Sequence, residues 1–95
     1  MTESIEFLSG PFTLSARLHR PAHAVGGAAL VTHPHAAHGG TMDHPVVARA
    51  AERAAHAGLF ALRFDFRGAG GSEGEVTDRE GHRADVGAAA RLLRA

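Results

Sequence analysis

Gly70-Gly71-Ser72-Glu73-Gly74 spells G-x-S-x-G. In that pattern a sharp strand-to-helix turn presents a serine hydroxyl as the nucleophile of acyl transfer. Such a serine needs an imidazole to take its proton and an acid to orient the imidazole. The chain holds 8 histidines. His33, His35, His38 and His44 crowd into one segment with Asp43 beside His44, and His82 and Asp85 stand three apart further on. The surroundings of Ser72 nevertheless argue against a nucleophile. A serine elbow has apolar strand residues directly before it and a helix directly after. Here Arg67-Gly68-Ala69 intervenes on one side and Glu75-Val76 on the other. Ser72 is read instead as part of a Gly-rich turn, its hydroxyl satisfying local backbone groups.

The histidine-rich segment raises metal binding, since imidazole suits zinc, copper and nickel. Its spacing, H-x-H-x₂-H-x₅-H, fits no helical metal motif, and no cysteine supports it. The main reading therefore implies no metal and no cofactor, with a His-loop metal binder kept as an alternative. His33 is expected to hold its loop through ring hydrogen bonds. His19, His23, His56 and His82 read as solvated, and His82 with Asp85 as a pair on a helix surface. Asp65 and Arg67 flank the end of a strand and read as an ion pair or a backbone tie shaping the Gly-rich loop.

The elements that must position these residues follow from periodicity. Residues 4–8 and 12–18 alternate on either side of Ser9-Gly10-Pro11, which predicts an antiparallel hairpin. Phe12, Leu14, Ala16 and Leu18 share one face. Residues 28–32 form a continuous apolar run, as expected of a strand buried on both faces. Pro45 to Ala57 predicts a helix with a stripe of Val46, Val47, Ala50, Ala51, Ala54 and Ala57, closed by Gly58 in a left-handed conformation. Residues 59–66 predict a strand with Phe60, Leu62, Phe64 and Phe66 on one face. A second helix is expected from Thr77, with Glu80 completing a capping box and Val86, Ala89, Ala90 and Leu93 facing inward. The order is β-β-β-α-β-α, an α/β class, with two parallel strands joined by a right-handed crossover.

Bulk properties exclude little but do so cleanly. The 95 residues are 44% apolar and 21% charged with zero formal net charge, so no nucleic-acid partner is implied by field. The start, Met1-Thr2-Glu3-Ser4, lacks the basic flank and apolar run of a signal peptide. No run approaches the roughly 20 apolar residues of a membrane span. A cytoplasmic, soluble protein is expected.

Two segments taken together carry a resemblance. His33-Pro34-His35 with His38-Gly39-Gly40-Thr41-Met42-Asp43, and Leu62-Arg63-Phe64-Asp65-Phe66-Arg67-Gly68 with Gly70, Ser72 and Gly74, resemble the small, lidless α/β-hydrolases of the dienelactone-hydrolase and serine-esterase type. The resemblance runs along essentially the whole chain. It implies ester or related acyl-bond hydrolysis by a serine nucleophile that follows a fifth strand, with an acid and a histidine later. None of the three has a counterpart here. The 95 residues are therefore expected to be the N-terminal half of the hydrolase sheet, a partial domain truncated before the nucleophile strand and inactive alone. By the family pattern, the loop after the third strand supplies one oxyanion-hole donor, assigned to the N–H of His35 with Ala36 as the alternative. Pro34 has no N–H to give. His33, Gly39, Gly40, Asp65, Arg67, Gly68, Gly70, Ser72 and Gly74 are expected to shape the loops. The family strand order leaves the third strand with an open apolar edge. That edge suggests self-association or pairing, and a non-catalytic pairing module as the alternative to an enzyme. The partner of the complete enzyme would be a small acyl substrate.

Overall fold

The computed structural model describes residues 1–34, 39–76 and 79–94. Strands β1 (Thr2–Ser9), β2 (Phe12–His19) and β3 (Ala28–Val31) are followed by helix α1 (Pro45–His56), strand β4 (Phe60–Phe64) and helix α2 (Arg79–Arg94). This is the β-β-β-α-β-α order that the periodicity predicts. One sheet runs β1-β2-β4-β3. β1 and β2 pair antiparallel from Thr2↔His19 to Ser9↔Phe12 around the Gly10-Pro11 turn. β2 pairs antiparallel with β4, and β4 parallel with β3.

Register decides the core. Phe7 lies opposite Leu14, Ala16 opposite Phe64, and Leu62 between Leu18 and Leu30. These side chains share one face and pack with Phe66 and with Ala88 and Ala89 of α2. Phe64 meets Phe7 edge-on at 5.6 Å and Phe66 at 5.0 Å between ring centroids. Fully burying one such ring stabilises by about 1.5–3 kcal/mol. The other face of β4 carries Ala61 and Arg63 and lies under α1, whose Val47 and Ala51 are buried.

α1 keeps its expected start at Pro45, and the Nδ1 of His44 caps it by accepting from the Val46 N–H at 3.2 Å. Gly58 closes it at φ +97°, donating to the Ala55 carbonyl at 3.0 Å. A β-carbon there would stand 2.8 Å from both γ-methyls of Val25, so the site is closed to other residues by space as well as by φ.

Three expectations need correction. β3 is not buried on both faces: Ala28 is exposed and Ala29, Leu30 and Val31 are half-buried, because among the described residues β3 is the edge strand of the sheet, paired with β4 alone. The α1 stripe is narrower than its sequence, with Val46, Ala50 and Ala57 exposed, since the helix meets the sheet through Val47 and Ala51. β4 stops at Phe64: Asp65 still donates to the Ser15 carbonyl of β2, but the Ser15 N–H turns to Ser72 Oγ and the Phe66 N–H to His33 Nε2. The capping box expected at Thr77 falls outside the described residues.

Candidate functional site

In open α/β sheets, ligands bind where the parallel strands end at their carboxyl side. At that end β3 runs into His33-Pro34, β4 runs into Asp65-Phe66, and the segment Gly39–His44 leads into α1.

Asp65 ties these pieces together. It is 3% exposed. Its Oδ1 accepts from the Met42 N–H at 2.8 Å and its Oδ2 from the Gly71 N–H at 3.2 Å. Its own N–H reaches the Ser15 carbonyl at 2.9 Å, and its carbonyl accepts from Ser72 Oγ at 2.6 Å. One carboxylate thus fixes both the loop entering α1 and the Gly-rich loop. Gly70 sits against it at φ +49°, and a β-carbon there would overlap the Asp65 carboxylate.

His33 performs the matching task for β3. Its Nδ1 lies 2.7 Å from the Pro34 carbonyl and its Nε2 accepts from the Phe66 N–H at 3.1 Å. This fixes the Nδ1–H tautomer and ties the end of β3 to the end of β4. The ring also stands edge-on to Phe66, 5.0 Å away.

Ser72 is bound on both sides. It donates to the Asp65 carbonyl and accepts from the Ser15 N–H at 2.8 Å. Beside it, Glu73 Oε1 accepts from the Thr13 N–H at 2.8 Å, and the Glu73 N–H returns to the Thr13 carbonyl at 2.9 Å. The Gly-rich loop therefore serves the far half of β2, which β4 is too short to reach. Ser72, His33 and Asp65 gather at one end of the sheet, yet among the described residues no hydrogen bond joins Ser72 to an imidazole or His33 to a carboxylate. The residue types of a triad are present without its wiring.

Arg67 does not pair with Asp65. Its guanidinium grips Asp85 of α2 through Nε at 3.0 Å and Nη2 at 2.8 Å, and its N–H reaches the same carboxylate at 2.9 Å. Asp65 therefore makes the backbone tie, and the ion-pair alternative fails because Asp85 takes the cation. Asp85 is fully buried and also accepts from Ser9 Oγ at 2.7 Å. It is not a surface partner of His82, whose ring lies against Phe66 at 4.4 Å. His19 is not solvated either: it is 4% exposed and its Nε2 accepts from Arg63 Nε at 3.0 Å. Burial, then the charge of Arg63, lowers its pKa from the ordinary 6.5.

Gly39, Gly68 and Gly74 adopt positive φ, while Gly40 is half-buried without it. Among the described residues no group of three or more His, Cys, Asp or Glu side chains is placed to hold a metal ion. His35 and Ala36, the oxyanion-hole candidates, and His38 lie outside the described residues. Sequence reasoning placed Asp85 on the helix surface, where it is not, and gave Arg63 and Met42 no role of their own. Asp85 recurs with Gly81, Ala88 and Ala89 on the buried stripe, and that spacing was its only signal.

No family model matches the sequence. An uncharacterized protein of Rickettsia prowazekii is 43% identical over 61 residues, which are 64% of this chain and 26% of that protein. Among solved structures, an α-β serine hydrolase homologue from Coxiella burnetii superposes with TM-score 0.89 at 32% identity, over 96% of this chain and 44% of that one. This chain has the fold of the N-terminal half of an α/β hydrolase. A serine hydrolase without a lid from Xanthomonas campestris matches this half-sheet almost as well, with TM-score 0.87 at 31% identity over 98% of this chain and 44% of that one. The chain thus spans less than half the length of the hydrolases it matches, and its Asp65 and His33 ties hold together the strand ends of that fold. No described helix is long and apolar enough to cross a membrane.

Proposed function

We propose that this chain is the scaffold half of a serine hydrolase acting on esters or related acyl bonds, of the dienelactone-hydrolase and serine-esterase type. Its contribution is the loop between β3 and α1, where the N–H of His35, with Ala36 as the alternative, meets the oxyanion. The nucleophile, acid and catalytic histidine belong to the part of the hydrolase unit that these 95 residues do not span. The cytoplasm is the expected compartment. The observation that carries this reading is the close match to two serine hydrolases at 44% of their length, combined with a Ser72 whose hydroxyl is already spoken for.

The test is active-site labelling with a fluorophosphonate, together with turnover of a p-nitrophenyl ester. The chain alone should show neither. Mixed with the C-terminal portion of the Xanthomonas hydrolase, it should restore labelling on that portion. Labelling or turnover by the chain alone that Ser72→Ala abolishes would sink the proposal.

A second reading, a non-catalytic pairing module, draws on one feature. Among the described residues β3 has β4 on one side only, and beside it lies an apolar groove of about 770 Å³ lined by Ile5, Leu18, Leu30, Phe60, Leu62 and Leu93. The two readings part in the mixing experiment: association without labelling favours the module.

A further inference from the structure

We propose that His19 and Arg63 form a pH-sensitive tie, which holds the Thr41–Asp43 segment against the sheet and releases it when His19 is protonated. The argument rests on donors and acceptors. A guanidinium only donates. Arg63 is 8% exposed and aims its Nε–H at His19 Nε2, 3.0 Å away, while its Nη1 donates to the Met42 carbonyl at 2.8 Å. Asp43 Oδ1 stands 3.5 Å from the same Nη1 but is itself mostly exposed. Neutral His19 is thus the buried acceptor that keeps the guanidinium in place. Met42 is the cargo: its carbonyl is held by Arg63 and its N–H by Asp65, so both ends of that residue depend on the two side chains.

Protonated His19 has no lone pair at Nε2. The contact then sets one N–H against another and places two cations side by side beneath α1. The groups around His19 set the balance. Arg63 on β4, Arg17 on β2 itself and the ammonium of Met1, just before β1, oppose its protonation, while Glu52 on α1 favours it. Arg20, His23 and His56 line the same cavity of about 420 Å³. Burial and Arg63 outweigh Glu52, so the folded protein prefers the neutral ring. The sign follows from linkage. A group whose pKa is lowered on folding contributes its full stability above the unfolded value, here 6.5, and loses it as pH falls toward the folded value. The tie therefore holds at neutral pH and loosens on acidification.

The experiment is residue-resolved NMR on the full chain between pH 7.5 and 5. Ring nitrogen shifts of the wild type should show His19 as the Nδ1–H tautomer, titrating below the ordinary 6.5 of an imidazole. Amide protection at Met42 and His44, corrected for intrinsic exchange, should drop about tenfold across that titration, as expected for one charge-assisted bond. The ladder amide of Leu62 should keep its protection. His19→Gln keeps an acceptor that cannot titrate, and should flatten the Met42 and His44 profiles. An Nε2–H tautomer in the wild type would overturn the proposal without any variant. So would a loss of protection shared equally by Leu62, or a His19→Gln profile that keeps its pH dependence.

Discussion

Ser72 shows what a hydroxyl does when a motif is matched in letters only. Its proton goes to the Asp65 carbonyl and its lone pair to the Ser15 N–H, so removing it orphans two backbone groups. Ser72→Ala should lower stability by about 1–3 kcal/mol, the cost of leaving part-buried groups unsatisfied. Urea denaturation measures it, and an unchanged midpoint would contradict the assignment. The buried pair of Arg67 and Asp85 makes a larger demand. With Asp85 fully buried and the Arg67 side chain 17% exposed, Asp85→Ala leaves a guanidinium with little water and no counter-charge. A loss of about 3–5 kcal/mol is expected, enough to unfold a marginal domain. Far-UV circular dichroism with melting would reveal it. Ser72 could be read from its neighbours because an elbow is a local arrangement. Asp85 and Arg63 could not, because an isolated charge on an apolar stripe looks the same whether it faces water or a partner brought in from 18 or more residues away.

At the scale of elements, the hairpin, β4 and both helices were legible because each repeats its apolar residues at its own period. What the period leaves open is which neighbour an element receives. The run Ala28–Val31 suits a strand covered on both sides, yet only β4 lies beside it. Likewise, the pattern of α1 offered six apolar positions, and the crossing over the sheet used Val47 and Ala51 in full. The Gly-rich loop is the element whose geometry is most constrained. Its Gly70 combines a positive φ with contact to the carboxylate that fixes both loops. Gly70→Ala should therefore cost more than the roughly 0.4–1 kcal/mol that such a change gains at a permissive site. It should also displace Met42, because Asp65 has to move. The Met42 amide shift is the readout, and a stabilised variant with that shift unchanged would contradict the tie. The oxyanion-hole candidates His35 and Ala36 were placed by resemblance, and no periodicity reaches them.

For the whole molecule the two sheet edges differ in chemistry. β1 shows water the exposed Glu3, Ser4 and Glu6, and charge on an edge resists further pairing. β3 shows Ala28 to Val31, next to the apolar groove beneath the end of α2. The Cα radius of gyration of 12.5 Å is close to the ~13 Å of a self-contained domain of about 100 residues, so the chain is compact around its core despite the open edge. Zero net charge supplies no repulsion to keep copies apart. The scaffold reading places a strand of the remaining hydrolase half on β3. Without that half, the same edge should pair with a second copy. The chain alone is therefore expected to show concentration-dependent dimerisation by sedimentation velocity at neutral pH. Ala28→Lys puts a charge on the edge at an exposed position, outside the core. It should shift the population to monomer while leaving the melting temperature at low concentration unchanged. A wild type that stays monomeric through hundreds of micromolar would show that β3 is protected by something other than a partner. A dimer indifferent to Ala28→Lys would move the contact away from β3, and with it the surface on which the other half is proposed to dock.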